Sequence, residues 1–499
     1  MKIAGLDIGT TGCKLTVFDE QGAILGRAYR DYPVRRQLGG HEIDISSLMD
    51  GVYAVFREMT AQYPDIGAVG VTSFGETFVM TDGEGRPLHP AMLYTDPRGG
   101  GECRVLCGAL GEDRIARISG LRPHEMYSVC KLMWLKNNRP EVFHAAKHIF
   151  LIGDYVVWRL TGEARIDYSL ASRTMAFDIG RLAWSEEILN AAGIDPSLLS
   201  VPVPTGTTAG SVTPEACGKT GLNPGCQVVI VSHDQVAAAV GAGAFDGSTA
   251  VDGAGTVECL TPVYDVLPDI GVMRRGYFSV VPYVIPGKYV AYAFSYTGGA
   301  LIQWCVDTLA KAEKAEAERL GISVNALLER MYEKPGPTGL LVLPHFAGAA
   351  TPYMDTGSRG AVLGLTADTS LPEIYRACME GVAYEMRLNY DALAGSGIRF
   401  TGLHATGGGA KSAVWTQMKA DILNLPITAL KTADAGTVGS AMLTGVAVGL
   451  FRDLNQAASV MVQEAETYAP DPSMHARYME AYARYRKVYQ AVRPLMDAK

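Results

Sequence analysis

Near its start, the chain places an aspartate after an apolar run and follows it with a loop of small residues. The run Lys2 to Leu6 is followed by Asp7, and the loop Gly9-Thr10-Thr11-Gly12 comes shortly after it. A loop rich in glycine NH groups and threonine hydroxyls can surround an anion, because glycine lets the backbone approach closely. A carboxylate at the edge of such a loop could hold a hydrated metal ion carried by that anion. The alternative is an ordinary tight hairpin with an aspartate that caps its turn.

A second candidate lies in the stretch Ser232-His233-Asp234-Gln235, where a buried strand ends and a helix of small residues begins. Burying a carboxylate is costly unless another group pairs with it or uses it. Asp234 is therefore a candidate base that takes a proton from a hydroxyl group and is kept ionised by the helix N-terminus. The alternative for Asp234 is a helix N-cap, a common role for aspartate. His233 is interpreted as a packed, hydrogen-bonded core histidine rather than a ligand.

A glycine-rich turn, Thr406 to Gly409, separates a short strand that ends at Leu403 to Ala405 from a helical pattern over Lys411 to Leu423. The free NH groups at this helix N-terminus could hold a nucleotide phosphate, or the turn could lie flat under the base. The alternative is a strand-to-helix connection that needs glycine for close packing. Two other stretches only resemble phosphate loops: Gly218-Lys219-Thr220 lacks a glycine five residues earlier, and Gly409-Ala410-Lys411-Ser412 lacks adjacent glycine and lysine.

These candidates need strands and helices to bring them together, and the apolar pattern predicts two similar halves. Lys2 to Leu6, Lys14 to Phe18 and Ala23 to Tyr29 are predicted as strands, and helical spacing follows around Ser46 to Tyr63. The order of apolar run, small-residue loop, second run and aspartate recurs from Gly247, in GSTAVDGAGTVECLTPVYDV. Two related halves that meet near this point would clamp a nucleotide phosphate between two loops and leave a cleft for a second substrate.

The rest of the chain is predicted to alternate between strands and helices, with one loop-rich stretch. The further strands predicted are Ile66 to Ser73, Phe78 to Thr81, Val228 to Val231, Tyr277 to Ile285 and Lys288 to Phe294. Helical patterns fill Gly99 to Leu160, and Val201 to Asn223 is predicted as loop. A final amphipathic helix over about Met474 to Leu495 is predicted to pack on the body as a cap.

Composition and charge indicate a soluble, cytoplasmic protein of the α/β class. The 499 residues are too many for one hydrophobic core, so two or more domains are expected. The net charge of -8 and the lack of a basic block argue against nucleic acid as a partner, and no apolar run is long enough to cross a membrane. No signal-peptide pattern precedes the first strand. The nine irregularly spaced cysteines are expected to be reduced core thiols, and a metal site built from them is disfavoured.

Several longer motifs resemble the FGGY family of carbohydrate kinases. Met126 to Asn138, MYSVCKLMWLKNN, is similar to the family's first signature at every constrained position. Leu343 to Thr366 resembles its Phe-x-Gly…Thr-Pro-Tyr…Asp…Arg-Gly block, and Trp158 to Ile179 resembles its Leu-Thr-Gly…Asp-x-Ser segment. The resemblance extends from Lys2 to about Leu450. It implies an α/β fold of two ribonuclease-H-like domains around a central cleft, as in actin and the Hsp70 ATPases, here divided into residues 1–245 and 246–499.

The resemblance also implies a role for ATP and Mg²⁺ and assigns residues to them. Asp7 is similar to the carboxylate that contacts the hydration shell of Mg²⁺, and Asp234 is similar to the catalytic base, which could also contact the metal. The residues implied to bind ATP are Thr10, Thr11, Gly255, Thr256, Gly299, Gln303, Gly408, Gly409 and Ala410.

The same resemblance implies that Glu76, Asp96, Arg98 and Gln235 contact the sugar. Glu76 is similar to the acid that glycerol kinases use on polyol hydroxyls, but Gly75 stands where those enzymes have arginine. The stretch Phe74-Gly75-Glu76 also lacks the Met-His pair of xylulokinases. Ala349-Ala350 stand where many members have Glu-Arg.

The resemblance therefore implies ATP-dependent phosphorylation of a sugar or polyol hydroxyl. A ketopentose such as xylulose is the first expected acceptor, because the overall pattern is most similar to xylulokinases. Glycerol- or erythritol-type polyols, deoxy-ketoses and ketohexoses are the alternatives. A sensor or chaperone-like ATPase on the same fold is a more distant alternative, since the chain supplies hydroxyl-binding groups, and a pseudokinase is disfavoured by the intact nucleotide loops. For assembly, the family implies a homodimer.

Overall fold

A computed structural model describes residues 1–37, 39–332, 334–431 and 434–496. The first half of the chain, residues 1–245, contains both strands and helices. Its strands are β1 Lys2–Ile8, β2 Gly12–Phe18, β3 Ile24–Asp31, β4 Val34–Gln37, β5 Gly40–Ile43, β6 Ile66–Ser73, β7 Phe78–Thr81, β8 Ala91–Met92, β9 His148–Leu151, β10 Arg165–Asp167, β11 Phe177–Asp178, β12 Ala183–Trp184, β13 Val201–Val203, β14 Thr208–Ser211 and β15 Gln227–His233. Its α-helices are α1 Ile45–Gln62, α2 Gly100–Leu110, α3 Glu112–Ser119, α4 Ser128–Asn138, α5 Pro140–Ala145, α6 Ile152–Thr161, α7 Tyr168–Ser172, α8 Glu186–Ala192, α9 Pro214–Thr220 and α10 Asp234–Gly241, with a 3-10 turn at Pro196–Leu198.

The second half, from residue 246 onward, has fewer strands and longer helices. Its strands are β16 Thr249–Ala254, β17 Glu258–Tyr264, β18 Val281–Pro282, β19 Tyr289–Val290, β20 Ala293–Ser295, β21 Leu341–Leu343, β22 Ala361–Leu363, β23 Gly402–Thr406, β24 Ile427–Leu430 and β25 Glu464–Tyr468. Its α-helices are α11 Ile270–Arg275, α12 Gly299–Leu309, α13 Lys311–Leu320, α14 Val324–Met331, α15 Leu371–Gly395, α16 Ala413–Leu423, α17 Ala435–Ala447, α18 Leu454–Met461, α19 Pro472–Tyr485 and α20 Val488–Val492. The 3-10 turns are Gly409–Lys411 and Arg493–Leu495.

The main sheet of the first half has the strand order β14-β15-β6-β1-β2-β3. Strand β1 pairs antiparallel with β2 and parallel with β6, and β6 pairs parallel with β15. Because β1 and β15 run in the same direction, Asp7 and His233 lie at the same edge of the sheet, at the carboxyl ends of their strands. Both faces of this sheet are covered, which explains why β1, β6 and β15 are nearly continuous apolar runs rather than alternating ones.

The main sheet of the second half repeats this plan. Its order is β18-β19-β17-β16-β23-β24-β25, and β20 also pairs with β17. It begins with the antiparallel hairpin β16–β17, and β16 then pairs parallel with β23, which pairs parallel with β24. The recurrence predicted from Gly247 is therefore confirmed: each half opens with a hairpin whose loop is made of small residues.

Three sequence expectations need correction. The stretch Val201 to Asn223, predicted as loop, contains β13, β14 and α9. Within Tyr277 to Ile285, predicted as one strand, only Val281–Pro282 is a strand, and Tyr277 has a positive φ of 58° that interrupts extended structure. The final helix is α19, a turn, α20 and a 3-10 turn rather than one helix over Met474 to Leu495. Pro494 lies in that last turn, where its missing N–H removes a donor that a continuing helix would need.

The two halves meet where α10 packs against α17 at very short range. A Cβ atom on Gly439 would lie 2.7 Å from the backbone nitrogen of Gly241, and one on Gly241 would lie 2.6 Å from that of Gly439. Helix α17 also lies against the first sheet, because a Cβ atom on Gly5 would overlap the Thr437 carbonyl. Only glycine allows backbone to approach backbone this closely. The packing therefore fixes a helix of the second half on the sheet of the first.

Two further observations bear on the class of protein. None of the helices in the described residues is both long and apolar enough to span a bilayer. All nine cysteines are free thiols, and seven of them are buried.

We predict that Gly439→Ala lowers the free energy of unfolding by about 1–3 kcal/mol or more, because the added methyl group would overlap the backbone of α10. Urea unfolding of the full chain measures this change. Gly108→Ala is the matched control, since a Cβ atom at Gly108 in α2 would meet nothing within 4 Å. That variant should be unchanged or more stable by up to about 1 kcal/mol. Equal stability of the two variants would contradict a close-packed contact between α10 and α17.

Candidate active site

The loop between β1 and β2 leaves two threonine hydroxyls available to an anion. The Gly9 N–H donates to the Gly12 carbonyl at 2.9 Å, which closes the loop. Tyr32 holds the loop from behind: its N–H donates to the Thr11 carbonyl at 3.1 Å and its hydroxyl donates to the Gly9 carbonyl. Thr10 and Thr11 line the adjoining cavity, and their hydroxyls have no hydrogen-bond partner among the described residues. The loop thus has the rigid frame and the free donors that an anion-binding loop requires.

Asp7, at the end of β1, has no partner of its own. Its carboxylate makes no hydrogen bond or salt bridge within the described residues, and Lys14, opposite it in the sheet, pairs instead with Asp434 at 3.1 Å. Burial, partly offset by the charge of Lys14, raises the pKa of Asp7 to about 6. A Cβ atom on Gly436 would lie 3.0 Å from Asp7 Oδ2, so the glycine keeps space open beside the carboxylate.

This edge of the sheet fits a magnesium ion that is held mainly by groups other than the protein. Mg²⁺ usually keeps several waters and binds through one or two carboxylates together with substrate phosphates. A single unpartnered carboxylate, Asp7, next to the threonine loop matches that donor set. Within the described ranges, no group of three or more His, Cys, Asp or Glu side chains could coordinate a metal by itself.

Asp234 is the first residue of α10 and directly follows the buried strand β15. Its Oδ1 accepts a hydrogen bond from the Gln235 N–H at 2.6 Å and lies 3.2 Å from His233 Nε2, whereas its Oδ2 has no partner among the described residues. Burial, reinforced by the negative charges of Asp7 and Glu76, raises the pKa of Asp234 to about 8. The expectation that the helix N-terminus keeps this carboxyl group ionised is therefore wrong, because burial outweighs that effect. The side chain lines the same cavity as the threonine loop. A carboxylate with a raised pKa and one free oxygen is suited to act as a general base.

A buried ion pair between Glu76 and Arg173 forms part of the wall of this cavity. Both side chains are only 6% exposed; Arg173 Nε donates to Glu76 Oε1 at 2.7 Å, and Nη2 donates to the same oxygen. Glu76 Oε2 accepts no hydrogen bond within the described residues and is available to a ligand hydroxyl. A Cβ atom on Gly75 would lie 2.7 Å from Arg173 Cγ. Gly75 therefore makes room for a guanidinium that comes from the end of α7 rather than from position 75.

Arg173 was not predicted as a site residue, although it lies inside the segment Trp158 to Ile179. Arg173 and Glu76 are 97 residues apart, and no local pattern signals their pairing. The aromatic wall of this 420 Å³ cavity was missed as well: the rings of Tyr127 and Tyr292 lie 5.4 and 5.5 Å from the Arg173 guanidinium. The other aromatic lining residues are Phe74, Tyr94, Tyr277 and Phe294. Of these rings, Tyr127 lies in the motif Met126 to Asn138 and Phe74 in the stretch Phe74-Gly75-Glu76, but neither ring was assigned to the acceptor cavity.

The four residues predicted to contact the sugar do not all reach the cavity. Glu76 and Gln235 line it, whereas Asp96 and Arg98 are not among its lining residues. Asp96 and Arg98 bind each other: Arg98 Nε donates to Asp96 Oδ1 at 2.9 Å, and Nη2 donates to Asp96 Oδ2 at 2.6 Å. This pair stabilises the loop that carries Tyr94, which does line the cavity. Direct contact of Asp96 or Arg98 with a sugar stays a prediction.

Apart from Thr10 and Thr11, which line the first cavity, the residues predicted to bind ATP lie at a second, larger cavity of about 1030 Å³. Gly255, Thr256, Gly299, Gln303, Gly408 and Gly409 line it, and Ala410 is buried in the 3-10 turn that precedes α16. Helices α14 and α15 supply further wall residues that sequence analysis missed, among them Asn325, Glu329 and Tyr375. These helices carry no glycine-rich loop, so the sequence offered no signal for them.

The two cavities adjoin at the loop between β16 and β17. Thr256 lines the larger cavity, and its neighbour Val257 lines the smaller one. The loop is held by hydrogen bonds from the Gly298 N–H to the Thr256 carbonyl at 3.0 Å and from the Gly299 N–H to the Gly255 carbonyl at 2.9 Å. A long molecule in the larger cavity can therefore present one end to the cavity that contains Asp234.

Next to this loop, three charged side chains are buried together. Lys419 of α16 pairs with Asp252 of β16 at 2.8 Å and with Glu258 of β17, and none of the three is more than 3% exposed. Asp252 Oδ1 and Glu258 Oε2 have no partner of their own, and one proton shared between the two carboxyl groups would satisfy both. Burial and the charge of Asp252 raise the pKa of Glu258 well above its ordinary range, which places that proton on Glu258. The cluster joins the β16–β17 hairpin to the helix that follows the glycine-rich turn.

Comparison with known proteins places this architecture among kinases. Family models described as the N-terminal and C-terminal domains of the FGGY family of carbohydrate kinases match residues 2–241 and 262–448. The chain is 27% identical to the xylulose kinase of Lactococcus lactis subsp. lactis, with 98% of this chain and 96% of that protein covered. It is 32% identical to the glycerol kinase of Halorhodospira halophila, with 99% and 96% covered. The crystal structure of gluconate kinase from Lactobacillus acidophilus matches with a TM-score of 0.89 at 24% identity and covers 100% of this chain and 98% of that one.

We predict different outcomes for two variants of the buried cluster. Lys419→Met leaves the carboxyl pair without its cation and should lower the free energy of unfolding by about 3–5 kcal/mol. Glu258→Gln replaces a protonated carboxyl group with a neutral amide of similar shape, and it should lower the free energy of unfolding by less than about 1.5 kcal/mol. Urea unfolding at pH 7 compares the two variants with the parent chain. Equal losses would mean that Glu258 is ionised in the folded protein and would contradict the shared proton.

Proposed function

The chain belongs to the FGGY family of carbohydrate kinases, and on that premise we propose a mechanism and an acceptor for it. Membership of this family identifies the protein as a carbohydrate kinase and implies that ATP is the phosphoryl donor. The proposed reaction transfers the γ-phosphoryl group of ATP to a hydroxyl group of a sugar or polyol. One observation carries the proposal: Asp234, with a free carboxylate oxygen, lines the same cavity as the Thr10–Thr11 loop.

In this proposal, the donor occupies the larger cavity and its phosphates lie between two loops. The turn at Gly408 and Gly409 contacts the nucleoside, and the Thr10–Thr11 and Gly255–Thr256 loops hold the phosphates with backbone N–H and hydroxyl donors. Mg²⁺, when bound, neutralises phosphate charge, and Asp7 is the residue that would contact its hydration shell. Support comes from the free hydroxyls of the first loop and the unpartnered carboxylate of Asp7.

Asp234 is proposed as the general base, with direct contact to the metal as a further proposed role. Its Oδ2 accepts the proton of the acceptor hydroxyl while that oxygen bonds to the γ-phosphorus; the bond from the γ-phosphorus to the bridging oxygen breaks, and ADP leaves. Phosphoryl transfer depends mainly on position and on neutralised charge, so one base and two donor loops suffice. Glu76 Oε2 and Gln235 are placed to fix other hydroxyls of the acceptor. Exclusion of water from this cavity would limit hydrolysis of ATP.

A ketopentose such as xylulose is the first proposed acceptor. Its support is the similarity to a xylulose kinase over nearly the whole length of both chains. A polyol of the glycerol type has comparable support from the similarity to a glycerol kinase. Deoxy-ketoses and ketohexoses are further candidates, because the hydroxyl-binding groups Glu76 and Gln235 do not distinguish between them.

One feature of the cavity favours a second acceptor class, a sugar acid. Arg122 lines the acceptor cavity, and its guanidinium lies 3.6 Å from the centre of the Tyr277 ring. Arg122 has no carboxylate partner among the described residues. A guanidinium that lacks a counter-charge and borders a sugar cavity is suited to bind a carboxylate with two parallel hydrogen bonds.

The domain division and the assembly are proposals as well. We place the boundary between residues 245 and 246, which is supported by the first sheet ending at His233 and the second beginning at Thr249. A homodimer is proposed from family membership alone.

The first test measures the rate of ADP release from Mg-ATP with a panel of acceptors that contains ketopentoses, ketohexoses, polyols and sugar acids. For the acceptor that turns over, Asp234→Asn should lower kcat by about 100-fold to 10,000-fold, because the base is lost. Calorimetry should show that ATP still binds. Asp65→Asn is the matched control, since Asp65 is exposed and pairs with Lys2, at the edge of the sheet away from Asp7. Near-normal turnover in Asp234→Asn would refute its role as base, and acceptor-independent ATPase activity with no phosphorylated product would favour the sensor alternative.

The second test compares an acid with its matched neutral polyol, gluconate with glucitol. If the acceptor is a sugar acid, Arg122→Gln should raise the KM for that acid at least tenfold and leave the KM for ATP unchanged, because a charged hydrogen bond is worth roughly 1.5–3 kcal/mol. Turnover of neutral sugars only, with kinetics that Arg122→Gln does not alter, would eliminate the second acceptor class.

A further inference from the structure

One acidic side chain in the wall of the larger cavity, Glu329 of α14, has a free carboxylate oxygen. The Ser412 hydroxyl donates to Glu329 Oε1 at 2.8 Å, whereas Glu329 Oε2 has no hydrogen-bond partner among the described residues. Both residues line the cavity, and Glu329 is half-buried. The other acid in this lining, Asp307, pairs with Lys314. Glu329 is therefore the lining carboxylate that can accept a hydrogen bond from a ligand.

The Ser412 hydroxyl fixes this carboxylate relative to the glycine-rich turn. Ser412 is the N-cap of α16, where its Oγ also accepts from the Trp415 N–H at 3.1 Å. Because the hydroxyl has only one proton and gives it to Glu329, the two hydrogen bonds together set its orientation. The contact joins α14 to the segment that follows Gly408 and Gly409. Glu329 therefore has a fixed place beside the turn that is proposed to contact the nucleoside.

A second polar side chain, Asn325, precedes Glu329 on the same helix. The two residues are four apart in α14, so they are neighbours on one face of the helix, and both line the cavity. The Asn325 amide has no hydrogen-bond partner within the described part of the chain. A carboxylate only accepts hydrogen bonds, whereas an amide also donates them. The pair therefore offers a ligand an acceptor and a donor side by side.

The negative charge of Glu329 separates it from the phosphate end of a bound nucleotide. Two negative groups repel each other, and more strongly in a partly buried site than in water. The proposed phosphate loop, Gly255 and Thr256, lies where the larger cavity adjoins the acceptor cavity. The larger cavity also has apolar and aromatic lining residues that suit a flat ring, among them Ile302, Tyr375, Met379 and Trp415. Glu329 therefore belongs to the nucleoside end of the cavity.

The edge of an adenine ring matches the pair formed by Glu329 and Asn325. The N6 amino group of adenine donates hydrogen bonds, and the neighbouring N7 accepts them. A purine with an oxygen at C6 presents an acceptor in place of that amino group, and a carboxylate repels an acceptor. A polar group that must pair with a ligand donor discriminates strongly against a ligand that lacks the donor.

We propose that Glu329 selects the base of the phosphoryl donor, with Oε2 accepting a hydrogen bond from the N6 amino group of adenine. The Asn325 amide donates to a neighbouring ring nitrogen. This inference rests on the proposed placement of the nucleotide in the larger cavity, and it extends that placement from the phosphates to the base. It makes the protein selective for ATP over nucleotides without an amino group at C6.

The test measures nucleotide affinity by calorimetry with Mg²⁺ and no acceptor, at pH 8, because burial raises the pKa of Glu329 and a higher pH keeps it ionised. The probes are ATP and purine riboside 5′-triphosphate, which lacks only the N6 amino group. The wild-type protein should bind ATP at least about tenfold more tightly, as expected for one charged hydrogen bond. In Glu329→Ala the two Kd values should differ by less than about twofold, because only the affinity for ATP falls.

A second variant, Glu329→Gln, should change the preference between ATP and ITP, which has an oxygen at C6. The ratio of the ITP Kd to the ATP Kd should fall at least about fivefold, because the glutamine amide can donate to that oxygen. Glu318→Ala is the matched control, since Glu318 is an exposed acid of α13 outside the cavity. It should bind all three nucleotides as the wild-type protein does. An equal loss of affinity for all three in Glu329→Ala would indicate a structural role and would overturn the proposal.

Two further measurements separate this inference from the proposed function. If Glu329→Ala removes a preference for ATP over 2′-deoxy-ATP and keeps that over purine riboside triphosphate, the carboxylate binds the ribose and base selection is overturned. Gly408→Leu should weaken the binding of every nucleotide, because a Cβ atom on Gly408 would meet nothing within 4 Å and the side chain would extend into the cavity.

The two variants Gly408→Leu and Glu329→Ala thus have distinct consequences. Unchanged ATP affinity in Gly408→Leu would refute the proposed placement of the donor, and with it the role of Glu329. Weakened affinity in Gly408→Leu together with wild-type affinities in Glu329→Ala would overturn the role of Glu329 alone. Thermal unfolding shows whether each variant is folded, and if Glu329→Ala is not, the ITP preference of Glu329→Gln decides.

Discussion

The backbone contact between helices α10 and α17 is the constraint on which the rest of the site depends. Gly241 and Gly439 bring the two helices so close that a methyl group at either position would overlap the opposite backbone. Helix α10 begins with Asp234, and α17 begins one residue before Gly436, which lies beside Asp7. One glycine contact between the halves therefore fixes the start of α17 beside the sheet edge that carries both the proposed base and the proposed metal carboxylate. The same contact places the β16–β17 loop where it can face the β1–β2 loop across the cleft.

Buried charge is distributed differently on the two sides of this contact. In the second half, the cation of Lys419 pairs with both Asp252 and Glu258, and a proton shared between the two carboxyl groups would complete the cluster beside the β16–β17 loop. In the first half, each cavity carboxyl group has only one oxygen with a hydrogen-bond partner: Glu76 Oε1 accepts from Arg173, and Asp234 Oδ1 accepts from the Gln235 N–H. The remaining oxygens are what a polyhydroxylated acceptor needs. A buried carboxyl oxygen without a hydrogen-bond partner lowers the stability of a folded protein, and such oxygens are typical of a binding site rather than of a core.

Local patterns in the sequence predicted the two hairpins, the small-residue loops, Asp7 and Asp234, because each depends on apolar runs and turns within about twenty residues. The pairs that shape the acceptor cavity were beyond such reasoning. Glu76 meets Arg173 across 97 residues, and His233 meets Tyr292 across 59. Asp96 and Arg98 show a different limit of prediction from sequence. The family motif implies that they contact the sugar, yet in the structure they pair with each other. A motif identifies the residues that a family retains, whereas burial and pairing show which of them are free to bind a ligand.

The measurement that tests this account most directly is a crystal structure of the protein with Mg²⁺ and an ATP analogue that cannot transfer its γ-phosphoryl group. The account predicts that the nucleoside lies against Gly408 and Gly409, and that the γ-phosphate lies between the Thr10–Thr11 loop and Thr256, facing Asp234. A nucleotide bound outside the cavity between α12 and α15, or a triphosphate directed away from Asp234, would contradict it.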